Sequence, residues 1–112
     1  MSLGFHEYQE EASETAIYPG ENTIMGLAYC GLGLGEAGEV QGKIKKILRD
    51  SDGVYSPEQA YEIAKELGDA LWYIAMVAKE LGYDLEDIAQ MNLDKLGDRK
   101  ERGVLKGSGD NR

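Results

Sequence analysis

The chain is poor in the residues that staple or brace a small protein. It has one cysteine (Cys30), two prolines, one histidine (His6), one phenylalanine and one tryptophan in 112 residues. A single cysteine excludes an intrachain disulfide framework and points to a reducing compartment. No run of about 18 apolar residues exists, which excludes a membrane-spanning helix. The stretch Met1 to Tyr8 lacks the basic-then-apolar order of a secretory signal. A cytoplasmic protein that avoids membranes is expected. Positive charge is also scarce, with 12 Lys and Arg against 21 Asp and Glu and a net charge of −9. So few cations make a poor match for a nucleic acid polymer, whose phosphate backbone attracts a basic field.

The few cations are not scattered. Residues 1–42 contain seven acids and no Lys or Arg, and Lys43, Lys45, Lys46 and Arg49 then follow within seven positions. Residues 50–94 hold eleven acids against two lysines, and residues 95–112 reverse the balance with six basic residues against three acidic. Solvated helix faces are the plainer reading of any one charge, but such segregation in a 12.3 kDa chain makes a site worth seeking.

Four helical segments and no convincing strand can be read, which predicts an all-α fold, a small four-helix bundle-type domain spanning residues 1–112. The first segment runs from about Phe5 to Ile17, ahead of Pro19-Gly20. The second starts near Asn22-Thr23 and continues to about Arg49, with its first half weakened by Gly26, Gly31, Gly33, Gly35 and Gly38. The third has the clearest start: Ser56 as N-cap, Pro57 at the first helical position, and Gln59 completing a capping box. It runs to Leu81, with Gly82 as its C-terminal cap. Asp84 caps the fourth, Leu85 to about Arg99, and Gly103 to Arg112 read as a flexible, basic, Gly-rich tail. So short a bundle buries little by itself, so homo-oligomerisation is expected to complete its core.

At about 100° per residue, Ile63, Leu67, Leu71, Ile74, Ala78 and Leu81 form one apolar arc of the third helix. Glu62, Glu66, Asp69 and Tyr73 form an adjacent stripe, so Glu66 and Asp69 lie one turn apart at the border of the arc. On the second helix Tyr29, Leu32, Val40 and Ile47 fall within about 40° of Glu36. Glu36 thus sits inside an apolar stripe, with Glu39 and Lys43 on its flank. A carboxylate there is costly unless it is paired or binds a metal. The plainer alternative is a Glu39–Lys43 helical pair with Glu36 reaching solvent. Two acid pairs on neighbouring helices are more economically a shared site for a hard cation, Mg²⁺ or Mn²⁺. A ferritin-like di-iron centre needs two Glu-x-x-His pairs, and the single His6 lies far from both. Gly33-Leu34-Gly35-Glu36-Ala37-Gly38 matches a dinucleotide fingerprint, but that motif needs a preceding strand and a parallel sheet. The glycines are better read as allowing close helix–helix approach.

The pattern Glu36-x-x-Glu39 followed, 26 residues on, by Glu66-x-x-Asp69 resembles the signature of the all-α nucleoside triphosphate pyrophosphohydrolases, and most of all their MazG-like branch. The surroundings agree, with Leu34-Gly35-Glu36-Ala37-Gly38-Glu39-Val40 and Lys65-Glu66-Leu67-Gly68-Asp69-Ala70-Leu71-Trp72-Tyr73. So does the distal part, with Asn92, Lys95, Leu96, Arg99, Arg102-Gly103 and Gly107-Ser108-Gly109-Asp110. The resemblance implies a bundle that forms dimers or tetramers and hydrolyses a nucleoside or deoxynucleoside triphosphate to the monophosphate and pyrophosphate, clearing unwanted nucleotides. It implies Mg²⁺ held by Glu36, Glu39, Glu66 and Asp69. Glu36 or Glu39 would activate the water. Lys43, Lys46, Asn92, Lys95, Arg99 and Arg102 are candidates to grip phosphates, with an intersubunit salt-bridge network as the alternative for this basic set. Tyr73 and Trp72 are candidates to stack on the base, with core or interface packing as the equal alternative for either, and Tyr18 has the same two readings. Similar helical relatives act on dCTP, dUTP or phosphoribosyl-ATP, and a non-enzymatic dimerisation module is the remaining alternative.

Overall fold

The computed structural model describes residues 2–104, 107, 109 and 110. The fold is all-α, with no strand among the described residues. Helix α1 spans Phe5–Ser13, α2 Ile24–Gly33, α3 Ala37–Asp50, α4 Pro57–Glu80 and α5 Leu85–Arg102. A 3₁₀ turn, Leu34–Glu36, joins α2 to α3. None of these helices is long and apolar enough to cross a membrane.

Local chemistry explains the boundaries, including those that differ from expectation. Helix α1 stops at Ser13, short of Ile17. The hydroxyls of Ser13 and Thr15 donate to the carbonyls of Glu10 (2.6 Å) and Ala12 (2.9 Å), competing with helical propagation. The glycine-weakened second segment winds as two α-helices, and the break falls at Leu34–Glu36, between Gly33 and Gly38. Helix α4 begins as the sequence predicts. Gln59 N donates to Ser56 Oγ (3.1 Å) and Ser56 N to Gln59 Oε1 (2.8 Å). Gly82, at φ 80°, ends it at no steric cost. Asp84 caps α5 by accepting from Glu86 N (3.0 Å), and α5 continues three residues past Arg99. Of the expected tail, residues 105, 106, 108, 111 and 112 lie outside the described residues.

Helix α4 is the axis of the molecule, packing against all four other helices and the 3₁₀ turn, whereas α5 packs only on α1 and α4. The core gathers Ala16, Tyr18, Cys30, Ala75, Met76 and Leu85, with Tyr8, Ala12, Trp72 and Val77 against it. Two polar side chains pin loops to this core. Gln9 donates to the carbonyls of Ala75 (3.2 Å) and Tyr83 (3.1 Å) and accepts from Leu85 N (3.1 Å). Glu80 accepts from Asn22 N (3.0 Å) and from the Tyr18 hydroxyl.

The buried face of α4 is smaller than the predicted arc. Ala70, Ala75, Met76 and Ala78 are buried, but Leu67, Ile74 and Leu81 of that arc are exposed. Leu32, in the apolar stripe of α2, is 83% exposed. The surface totals 8137 Å², where a folded monomeric chain of this mass exposes about 6,100 Å². The radius of gyration is 16.9 Å, against about 13 Å for a compact chain of this length. A single copy therefore leaves a large apolar surface unpartnered.

Candidate active site

The 3₁₀ turn delivers the first functional side chain. Glu36 closes that turn and is the N-cap residue of α3, so its direction is set by the break in the helix. Glu66 and Asp69 project one turn apart from the middle of α4, which contacts the 3₁₀ turn directly. One carboxylate oxygen from each of Glu36, Glu66 and Asp69 lies within 4.8 Å of the other two. Glu36 and Glu66 are half-buried and Asp69 is exposed. Three convergent carboxylates without a histidine or thiolate form an oxygen-only donor set, which suits a hard divalent cation.

Close packing shapes the hollow beside this trio. Tyr73, one turn beyond Asp69 on α4, crosses α2 at Gly33. A Cβ on Gly33 would lie 2.1 Å from Tyr73 Cε1, so only glycine admits the ring there. Gly33 thus does allow close approach, whereas Gly35 and Gly38 face nothing within 4 Å. Glu36, Asp69, Trp72 and Tyr73 line a hollow of about 240 Å³. On the other side of Trp72 and Tyr73 lies a second hollow of about 170 Å³, walled by Thr15, Ile17, Tyr18, Pro19 and Tyr29. Tyr18 and Tyr29 stack at 5.5 Å. Trp72 meets Tyr18 edge-on at 6.4 Å and Tyr73 at 5.2 Å, with its indole N–H donating to Thr15 Oγ1 (3.0 Å) and the Ala12 carbonyl (3.2 Å). Burial, then the nearby Tyr29 and Glu36, pushes the Tyr73 hydroxyl above its usual range. Tyr73 therefore stays a protonated donor at neutral pH.

A model of the MazG nucleotide pyrophosphohydrolase domain matches residues 28–104, a span that includes both acid pairs, the latter part of α2 and all of α3, α4 and α5. The chain belongs to the MazG nucleotide pyrophosphohydrolase family. It is also 53% identical over 109 residues to the "Gene 37 protein" of Mycobacterium phage L5, covering 94% of this chain and 96% of that one. No solved structure matches.

Within this MazG chain the remaining expected site residues are dispersed. Glu39 is exposed in the first turn of α3 and stands outside the Glu36–Glu66–Asp69 trio. Among the described residues it forms no ion pair with Lys43. Lys43 and Lys46 line a groove of about 300 Å³ between α3 and α4, with Asp50, Gln59 and Glu62 among its other walls. Glu62 of this groove precedes Glu66 by one helical turn of α4, and none of Glu36, Glu66 and Asp69 lines the groove. Asn92, Lys95, Arg99 and Arg102 lie on α5, which touches neither α2, α3 nor the 3₁₀ turn. Asn92 is exposed, Lys95 and Arg99 pair with Asp110, and Arg102 Nε donates to Asp98 (2.8 Å). Among the described residues the ion pairs of Lys95 and Arg99 go to Asp110 and not to Glu36, Glu66 or Asp69. Sequence reasoning gave Gly33 only a general packing role and Asp110 none. The signal for Gly33 is its register opposite a large ring; Asp110 reaches its partners only because the chain reverses after α5.

Proposed function

We propose that this MazG domain is a Mg²⁺-dependent nucleoside triphosphate pyrophosphohydrolase that converts a nucleoside or deoxynucleoside triphosphate to its monophosphate and pyrophosphate. The observation that carries this reading is the convergence of Glu36, Glu66 and Asp69 beside a hollow walled by Tyr73. These three residues would hold the cation, and their oxygen-only donor set also suits Mn²⁺. Bound there, Mg²⁺ would offset charge on the phosphate oxygens. Glu39, next along the chain but outside the trio, is assigned to orient the attacking water and take its proton. The water oxygen bonds to the α-phosphorus, the bond from that phosphorus to the bridging oxygen breaks, and pyrophosphate leaves with the electron pair. Lys43 and Lys46 on α3 follow Glu36 and Glu39 in the chain and suit the phosphate chain, and the Trp72–Tyr73 wall with the aromatic hollow behind it suits the base. Glu36 is retained as a ligand because it is the member of its pair that meets α4.

Self-association belongs to the same reading. The apolar surface left open on α2, α3 and α4 is matched to a second copy, and a second copy also supplies the route by which Asn92, Lys95, Arg99 and Arg102 reach a carboxylate trio. Clearing unwanted nucleotides in the cytoplasm is the role that follows. The test is pyrophosphate release from a panel of nucleoside and deoxynucleoside triphosphates that includes dCTP, dUTP and phosphoribosyl-ATP. Turnover of at least one substrate with Mg²⁺, none with EDTA, and loss of turnover in Glu39→Gln with an unchanged helical CD spectrum are expected. No turnover across the whole panel refutes the proposal.

A further inference from the structure

Arg99 is the buried basic side chain among the described residues, 4% exposed. Its partners all come from the segment after α5. Gly103, at φ 74°, reverses the chain, with Val104 N donating to the Arg99 carbonyl (2.9 Å) and Gly103 N to that of Lys100 (3.2 Å). Gly107 N donates to the Val104 carbonyl (3.2 Å), and Gly109 stands at φ 82°. Arg99 Nη2 then donates to the carbonyls of Gly109 (3.4 Å) and Asp110 (3.1 Å) and to Asp110 Oδ1 (3.3 Å). The same Oδ1 accepts from Lys95 Nζ (3.1 Å). Lys95 and Arg99, one turn apart, thus form a two-cation cradle occupied by the chain's own carboxylate. The pair holds the Asp110 carboxyl below its usual range, Lys95 first and Arg99 second.

This hold is loose. Charge-assisted hydrogen bonds are ordinarily about 2.7–2.9 Å, and here one nitrogen is shared among three acceptors at 3.1–3.4 Å. The Asp110 side chain is 82% exposed, so water and salt compete for it. A polyphosphate offers more charge and several oxygens to a guanidinium fork that a single carboxylate oxygen leaves underused.

We propose that Asp110 is a tethered competitor for the Lys95–Arg99 cradle, a self-ligand that a polyphosphate displaces, releasing the chain that follows α5. This rests on the reading above, in which Lys95 and Arg99 grip phosphates. It adds that the empty state of that grip is held closed by the protein itself. The affinity measured for a polyphosphate is then lower than the cradle's own, because displacement must precede binding.

The test uses inorganic tripolyphosphate and the full chain in EDTA, where neither turnover nor a metal-filled trio contributes. Calorimetry is expected to show Asp110→Asn binding tripolyphosphate about two- to five-fold more tightly than the wild type, the range of one exposed ion pair. Arg99→Gln is expected to bind it more weakly in either background. Hydrogen exchange of the 103–110 segment in the wild-type protein is expected to quicken when tripolyphosphate is added. Equal or weaker binding by Asp110→Asn, or slower exchange of that segment, overturns the proposal. Tighter binding by Asp110→Asn in a protein that hydrolyses no nucleotide removes the pyrophosphohydrolase reading and leaves the competitor standing. Turnover with unchanged affinity does the reverse.

Discussion

Replacing Asp69 by asparagine separates the cost of the acidic trio from its use. The amide keeps the shape of the side chain and removes one charge. Among the described residues Asp69 has no hydrogen-bond or ion-pair partner to forfeit. Its carboxylate lies within 4.8 Å of those of Glu36 and Glu66. Two unit charges at that separation repel by about 0.9 kcal/mol in water. Asp69 faces two of them, so removing its charge relieves about 2 kcal/mol of mutual repulsion at low ionic strength. Screening over a Debye length of about 8 Å reduces that to about 1 kcal/mol at physiological salt. Asp69→Asn in EDTA should therefore unfold several degrees higher than the wild type, at about 4–8 °C per kcal/mol for a domain near this size. The gain should shrink as salt is raised. Saturating Mg²⁺ should reverse the order, because a ligand at 100 times its Kd stabilises by about 2.7 kcal/mol and the variant lacks a donor. Differential scanning calorimetry in EDTA and in Mg²⁺, each at two salt concentrations, reads all four values. A variant that melts at or below the wild type in low-salt EDTA refutes the charge reasoning, and an undiminished Mg²⁺ response refutes Asp69 as a ligand.

Three further outcomes are expected. Gly33→Ala should destabilise the fold by about 1–2 kcal/mol in urea titration, as overpacking against Tyr73 outweighs the helical gain of alanine, and an unchanged midpoint would contradict the close approach. His6 Nδ1 donates to Asp84 Oδ2 (2.6 Å) and its Nε2 pairs with Glu10 (2.8 Å), and its pKa is raised chiefly by the Asp84 hydrogen bond. The stability it contributes is complete below about 6.5 and lost as pH rises through its higher folded value. His6→Gln should flatten that part of the melting-temperature profile, and a profile that keeps its slope assigns it elsewhere. If the proposed self-association uses α2, Leu32→Glu should lower the apparent mass in sedimentation or size-exclusion experiments, since it places a charge in the exposed apolar stripe; an unchanged mass refutes a subunit contact there.

How much was legible in the sequence depended on the range of the interaction involved. The Ser56–Gln59 capping box, the Gly82 stop and the Asp84 cap are decided within three or four residues, and each was readable. Glu66 and Asp69 were also readable as a pair, because one uninterrupted helix fixes their spacing. Glu36 and Glu39 were placed on one continuous helix, and there the reading failed. The glycines announced a weak segment but not that it would tighten into a 3₁₀ turn, which sends Glu36 to α4 and leaves Glu39 outside the trio. The ends of α1 and α5 moved for similar reasons: hydroxyl competition at Ser13 and Thr15, and a left-handed glycine three residues farther on than expected. The α4 arc was misjudged because periodicity shows which side chains share a face and not whether one chain covers it. The α5 cations were grouped with the site by resemblance, and the pairing of Lys95 and Arg99 with Asp110 is a matter of topology that no local signal carries.

Trp72 gives the protein a built-in optical reporter. It is the one tryptophan in the chain, and it sits in the wall between the acidic hollow and the aromatic one. Tyr18 and Tyr73 lie 6.4 Å and 5.2 Å from it, close enough to pass excitation energy to the indole. Light absorbed by either tyrosine therefore emerges with the colour and lifetime of a fluorophore at the site. Filling either hollow alters the solvent around that ring, so occupancy can be followed in the unlabelled protein, without attaching a dye to a chain whose sole thiol is buried.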